Sequence, residues 1–130
     1  MHPQNPPGTG KYRHGKTGLN RILHTLIYSR DGFMATVRGE AAFRQLLVLH
    51  GVLIAVTFVL NLSPIERAVM LVVSFISLLV ELLNSAIEAV VDRISLDRHP
   101  LSKNAKDMGS AAQTVALLMV GAVWAVVLLA

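Results

Sequence analysis

From Leu19 onward, apolar residues recur at helical spacing: Leu19, Ile22, Leu23, Leu26 and Ile27, with Asn20, Arg21, His24 and Thr25 between them. That period predicts an amphipathic helix over about residues 19–37. A break is expected at Arg30-Asp31-Gly32, before a second short apolar stretch of Phe33, Met34 and Val37. The segment is too polar to cross a bilayer and suits a helix lying in the membrane interface; the alternative is an amphipathic helix packed on a soluble core. Three long apolar segments follow. Residues 46–62, LLVLHGVLIAVTFVLNL, are just long enough to cross a hydrocarbon layer of roughly 30 Å, and the helix that carries them is expected over about 40–62. Ser63-Pro64-Ile65-Glu66 combines a capping box with a proline at the first helical position, which marks a tight hairpin and starts a second span over about 63–92. The third segment, 111–130, carries no charge. Its helix is expected to begin outside the apolar layer near Ser102 and to run over about 103–130. The pattern predicts an all-α membrane protein, an interfacial amphipathic helix followed by three transmembrane helices.

Composition supports that class. The chain has 130 residues, room for one domain, and is 53% hydrophobic and only 15% charged, with a mean hydropathy of +0.55. A soluble domain of this size needs more polar surface. Without cysteine it has neither a disulfide framework nor a thiolate metal site. The net charge of +4 raises the question of nucleic acid, but no arginine cluster with interleaved aromatics is present, so no nucleic-acid partner is expected. Lys11, Arg13, Lys16, Arg21, Arg30, Arg38 and Arg44 precede the first span, and Arg93, Arg98, Lys103 and Lys106 lie between the second and third. The first hairpin has only Arg67. The positive-inside rule therefore puts the amino terminus and the 93–106 loop in the cytoplasm and the carboxyl terminus on the opposite side.

Residues 1–18 are polar, basic and rich in Pro and Gly, and read as a disordered tail. Within them, Gly10, Gly15, Lys16 and Thr17 satisfy the phosphate-loop pattern G-x-x-x-x-G-K-[ST]. Such a loop must follow a buried strand and open a helix, so that backbone N–H groups converge on phosphate. The preceding MHPQNPPGT supplies no strand. The match reads as a coincidence of letters.

The candidate chemistry lies in ELLNSAIEAVVDR, residues 81–93. At 100° per residue from Glu81, Asn84 falls near about −60°, Ser85 about +40°, Glu88 about −20° and Asp92 about +20°, so all five share one face. Glu81 and Glu88 are about 10 Å apart along the axis, a stripe that climbs from within the membrane toward the cytoplasm. An ionisable residue at mid-membrane costs on the order of 2.5–3.5 kcal/mol. The bland reading is helix glue, for which Asn and Ser suffice; two carboxylates ask for more. Paired carboxylates suit a hard cation that completes its shell with water and phosphate oxygens. Across the cytoplasmic boundary, KNAKDMGSAA offers Lys106 and Asp107 one turn before Ser110, with Gly109 permitting close approach. Glu40, in RGEAAFRQ, precedes the first span at about the depth of Glu88.

EAAFRQ, ELLNSAIEAVVDR and AKDMGSAA, in this order among three spans, closely resemble the bacterial integral-membrane diacylglycerol kinases over about residues 19–130. The resemblance implies a homotrimer in the bacterial inner membrane, with active sites shared between subunits. It also implies transfer of the ATP γ-phosphoryl group to the primary hydroxyl of diacylglycerol, giving phosphatidic acid. Position by position, Glu81 matches the general base, and Glu40 and Glu88 match the carboxylates that bind the Mg²⁺ carried by the nucleotide. Lys106 matches the phosphate-contacting lysine, with Asp107 beside it. Arg21, Tyr28, Asp97, Arg98 and His99 match further nucleotide contacts; Arg21, Gln45, Glu81, Asn84 and Ser110 match the lipid-substrate site. Arg30 stands where the family commonly has an aromatic anchor, and Leu46 where an acidic residue is common.

Related kinases that phosphorylate undecaprenol share the Glu-Asn-Glu stripe; EAAFRQ and KDMGSAA favour the diacylglycerol branch. A small proton-coupled transporter would account for Glu81 but not for Glu40, Lys106 and Asp107 at the cytoplasmic boundary. A non-catalytic membrane subunit would use the stripe as glue.

Overall fold

In a computed structural model, residues 18–130 are described; the phosphate-loop motif and nearly all of the expected tail lie outside them. Four helices follow in order: α1 (Leu19–Gly39), α2 (Ala41–Val59), α3 (Pro64–Ile94) and α4 (Pro100–Leu129). Contacts divide the chain into a first unit ending at Gly32 and a second, Phe33–Ala130. The break expected at Arg30-Asp31-Gly32 is absent, and α1 is one helix. Arg30 and Asp31 are exposed, so neither opposes the helix, and a single helical glycine costs only about 1 kcal/mol relative to alanine.

Glu40 interrupts the helices with an extended backbone (φ −115°, ψ 110°) and makes no side-chain cap hydrogen bond to α2. The junction is tied by its neighbours instead. Arg44 Nη1 donates to the carbonyls of Val37 (2.8 Å) and Arg38 (3.2 Å), which the end of α1 leaves without helical partners. Phe33 and Phe43 stack edge to face at 5.4 Å. The Glu40 carboxylate is thus left available.

At the other end α2 stops at Val59, short of residue 62. Arg67, from the first turn of α3, donates through Nε to the Thr57 carbonyl (2.9 Å) and through Nη2 to that of Leu60 (3.5 Å). Its guanidinium lies 5.6 Å from the Phe58 ring centroid, so one side chain both caps α2 and closes the hairpin. The expected capping box is formed, with Ser63 N donating to Glu66 Oε2 (2.7 Å), Glu66 N donating to Ser63 Oγ (3.2 Å) and Pro64 opening α3. α3 continues to Ile94, and α4 begins at Pro100, earlier than expected. His99 Nδ1 accepts from the Leu101 amide (3.1 Å), a capping role not read from a histidine.

α3 is the central helix. α2 and α4 each pack on it, and not on each other. Its buried positions are Met70, Val73, Ser74, Ser77, Glu81 and Asn84, the three-and-four spacing of a packing seam. The seam is largely polar, while Phe75, Leu79 and Leu83 face outward. That inversion suits hydrocarbon as the solvent, where polar groups must find partners inside. α2, α3 and α4 are each long and apolar enough to cross a membrane, with mean hydropathies of 1.9, 2.1 and 2.2. The protein is an integral membrane protein.

Candidate active site

Along α3 the stripe emerges gradually from the protein. Glu81 and Asn84 are buried, at 6% and 8% exposure; Ser85 and Glu88 are half-buried and Asp92 is exposed. The Glu81 carboxylate has no hydrogen bond or ion pair among the described residues; Glu88 and Glu40 are the charges near enough to act on it. Asn84 Nδ2 donates to Glu88 Oε1 at 3.5 Å. Three carboxylates, two from α3 and one from the α1–α2 junction, thus act on one region around an amide. A buried carboxylate without a partner is unfavourable, so the arrangement is expensive unless something positive or a proton meets it.

α4 supplies the opposing charge. Gly109 is buried against Asn84 so closely that an added Cβ would lie 1.8 Å from Asn84 Oδ1; only glycine lets the two helices approach there. One turn earlier, Lys106 Nζ pairs with Asp92 Oδ1 at 2.7 Å, and Glu88 also acts on that ammonium. Lys103 pairs with Asp107. Beyond these pairs a cleft of about 750 Å³ opens between the ends of α3 and α4, lined by Asp97, Arg98, His99, Lys103, Lys106 and Asp107 among others. Arg98, Lys103 and Lys106 stand there beside three aspartates, Asp92, Asp97 and Asp107, and a lysine that exchanges its aspartate for phosphate oxygen acts as a point charge.

Of the residues singled out from sequence, the structure sets Glu81, Asn84 and Glu88 along one face of α3, with Glu40 near enough to act on Glu81, and Asp97, Arg98, His99, Lys106 and Asp107 around the cleft. Gln45 and Ser110 are exposed on α2 and α4 and face outward from the single chain. Within the first unit, Arg21 lines a shallow depression with Ile22, Thr25 and Leu26. Tyr28 is exposed, its ring 6.2 Å from that of His24.

One polar group was missed. His50, Ser77 and Gln113, one from each spanning helix, meet inside the apolar layer: His50 Nε2 and Ser77 Oγ are 2.9 Å apart, and Gln113 Nε2 donates to the same Oγ at 3.2 Å. Ser74 lies one turn further along α3, its buried hydroxyl without a partner. The signal was present, since Ser74 and Ser77 continue the Glu81–Asn84 seam at its own spacing. Serine in a span reads as a small residue at a helix contact, which hides the hydrogen bonds.

The sequence that carries this stripe and cleft has counterparts among known proteins. A diacylglycerol kinase of Pseudomonas aeruginosa is 64% identical over 115 residues, covering 88% of this chain and 94% of that one. Diacylglycerol kinases of Haemophilus influenzae and Escherichia coli K12 are each 44% identical, covering 83% and 86% of this chain and 92% of their own lengths. Residues 27–128, from α1 to nearly the end of α4, match the family described as prokaryotic diacylglycerol kinase, and the chain belongs to that family.

Proposed function

We infer that the chain phosphorylates diacylglycerol at the cytoplasmic membrane surface, using ATP with magnesium and yielding phosphatidic acid and ADP. The observation that carries this reading is the continuity of one face of α3. It runs from a buried carboxylate without a partner at Glu81, through Glu88, to Asp92, whose partner Lys106 lines a cleft of mixed charge. An acceptor hydroxyl just below the headgroups and a nucleotide above them would meet along that face.

Glu81 accepts the proton of the primary hydroxyl, the oxygen attacks the γ-phosphorus, and the bond to the ADP oxygen breaks. A base so placed contributes about 10²–10⁴-fold. Asn84 orients the hydroxyl, and Lys106, exchanging Asp92 for phosphate oxygen, holds the nucleotide. Asp97, Arg98, His99 and Asp107 line the remainder of the nucleotide cleft; Arg21 and Tyr28 are proposed as further nucleotide-binding residues. Two carboxylates, Glu40 and Glu88, form the donor set for magnesium. Among the described residues no three such side chains form a metal site, and a pair fits an ion whose other ligands are water and phosphate. When bound, Mg²⁺ neutralises charge on the β- and γ-phosphates.

The assembly belongs to the same reading: a homotrimer in the bacterial inner membrane with sites shared between subunits, and α1 lying in the cytoplasmic interface. The outward-facing Gln45 and Ser110, and the lack of contact between α2 and α4, support completion of each site by a neighbouring chain or by lipid. Leu19, Ile22, Leu23, Leu26 and Ile27, all exposed on α1, support interfacial docking.

The test supplies labelled ATP and magnesium to the purified protein in micelles with diacylglycerol or undecaprenol. Label in diacylglycerol that is lost without magnesium is expected. Label in undecaprenol alone refutes the choice of acceptor.

A further inference from the structure

We propose that His50, Ser77 and Gln113 form a positioning junction that sets the height of α2 and α4 against α3, and through it the level of Glu40 relative to Glu88. The proposal rests on the reading of Glu40 and Glu88 as the carboxylate pair that receives the nucleotide's magnesium.

Three observations lead to it. First, α2 buries only Phe43, His50 and Thr57, one contact every two turns, and of these His50 alone makes a side-chain hydrogen bond to the side of α3. Arg67 closes the hairpin end of that seam; beyond it, toward Glu40, the seam is thin and packed through apolar or small groups, and resists sliding weakly. Second, α2 and α4 each pack on α3 and not on each other, and among the described residues Ser77 Oγ is the one atom that hydrogen bonds link to both of them. Third, the junction is a poor choice for stability. His50 and Ser77 are fully buried, while His50 Nδ1 and Gln113 Oε1 have no partner. Unpaired buried groups cost more than weak interhelical hydrogen bonds return, and apolar side chains would pack there without that cost. Buried polar contacts of this kind are best attested as devices that fix register.

The distances match that role. α2 and α3 are antiparallel, so both run from the junction toward the same membrane surface. Glu40 lies ten residues from His50, about 15 Å along α2, and Glu88 lies eleven from Ser77, about 16 Å along α3. The carboxylates are therefore level when the junction is closed, in keeping with their joint action on Glu81. A slip of one residue in α2 moves Glu40 by about 1.5 Å, and misplacement on that scale can cost on the order of 10²-fold in rate.

The test uses the full chain in lipid nanodiscs. Ser77→Ala removes the shared hydroxyl, Ser77→Thr keeps one, and the triple variant His50→Val, Ser77→Ala, Gln113→Leu makes the layer apolar and guards against simple misfolding. Ser77→Ala and the triple variant are expected to raise KM for Mg-ATP about tenfold, part of the loss that a 1 Å displacement brings. KM for diacylglycerol should stay close to wild type, and Ser77→Thr should restore the nucleotide KM. Because the chain lacks cysteine, spin labels on cysteines placed at the exposed Ala42 and Val90 report the height of α2 directly, in chains diluted with unlabelled protein. Their distance distribution should shift or broaden in Ser77→Ala and in the triple variant. A wild-type distribution in both variants overturns the proposal whatever the kinetics show, as does a wild-type nucleotide KM in a triple variant that folds. Absence of lipid phosphorylation by the wild-type chain refutes the functional reading instead, and leaves the spin-label distances to decide the junction.

Discussion

Replacing Gly109 by alanine separates stability from catalysis, because the structure fixes what the new methyl meets. The added Cβ would lie 1.8 Å from Asn84 Oδ1 and 2.9 Å from its Cγ, where real Cβ atoms essentially never come within 3.0 Å. Either the Asn84 amide turns away or α4 withdraws from α3, by more than about 1 Å in each case. Overpacking of this size costs about 1–3 kcal/mol. Against it stands the gain of about 1 kcal/mol for Gly→Ala inside a helix, so net destabilisation should stay below about 2 kcal/mol and the protein should still fold. The amide that must move is the one proposed to hold the acceptor hydroxyl, and a displacement near 1 Å lowers turnover by up to about 10²-fold.

Three readouts check the reasoning: thermal unfolding in detergent, kcat with saturating substrates, and a cycle with Asn84→Ala. Removing the Asn84 side chain takes away one hydrogen bond, at 3.5 Å, and makes room for the methyl. The double variant should therefore regain stability over Gly109→Ala, with a coupling of about 0.5–3 kcal/mol, while turnover stays low. Additive stabilities together with wild-type turnover in Gly109→Ala would refute the contact and the role of Asn84 alike.

The other substitutions divide the site by function. Glu81→Gln should lower kcat by about 10²–10⁴-fold with assembly retained; full activity in that variant would support helix glue, and substrate-driven proton flux without ATP turnover would support a transporter. Glu88→Gln should raise KM for Mg-ATP and demand more free magnesium, whereas an unchanged nucleotide affinity counts against its metal role. Lys106→Met should weaken nucleotide binding with little effect on unfolding, because its partner Asp92 is also largely exposed and surface pairs of that kind contribute no more than about 1 kcal/mol; a strongly destabilised protein would contradict this. Lys16→Ala should leave turnover near wild type, and a collapse of activity would revive the phosphate-loop reading of the tail.

The difference between what the sequence disclosed and what it hid follows from the physics of the membrane interior. Charge in an apolar span is costly enough to be conspicuous, so Glu81, Glu88 and the helical face they share could be read by spacing alone. The Ser63–Glu66 cap was equally legible, because its chemistry is local. Helix ends set by distant side chains were not: α2 stops where Arg67, ten residues beyond Thr57, takes its carbonyls. His50, Ser77 and Gln113 were hidden for a further reason. Each is tolerable alone in a span, and only the packing of both α2 and α4 on α3 turns three scattered polar letters into one contact. The stripe and the junction stand on the same seam of α3, one turn apart at Glu81 and Ser77. The feature that marks the chemistry and the one proposed to aim it therefore depend on a single packing register. A change that slides α2 should disturb the nucleotide carboxylates while Glu81, Asn84 and Glu88, all carried by α3, keep their mutual arrangement, so errors of register and losses of catalytic groups leave different kinetic signatures.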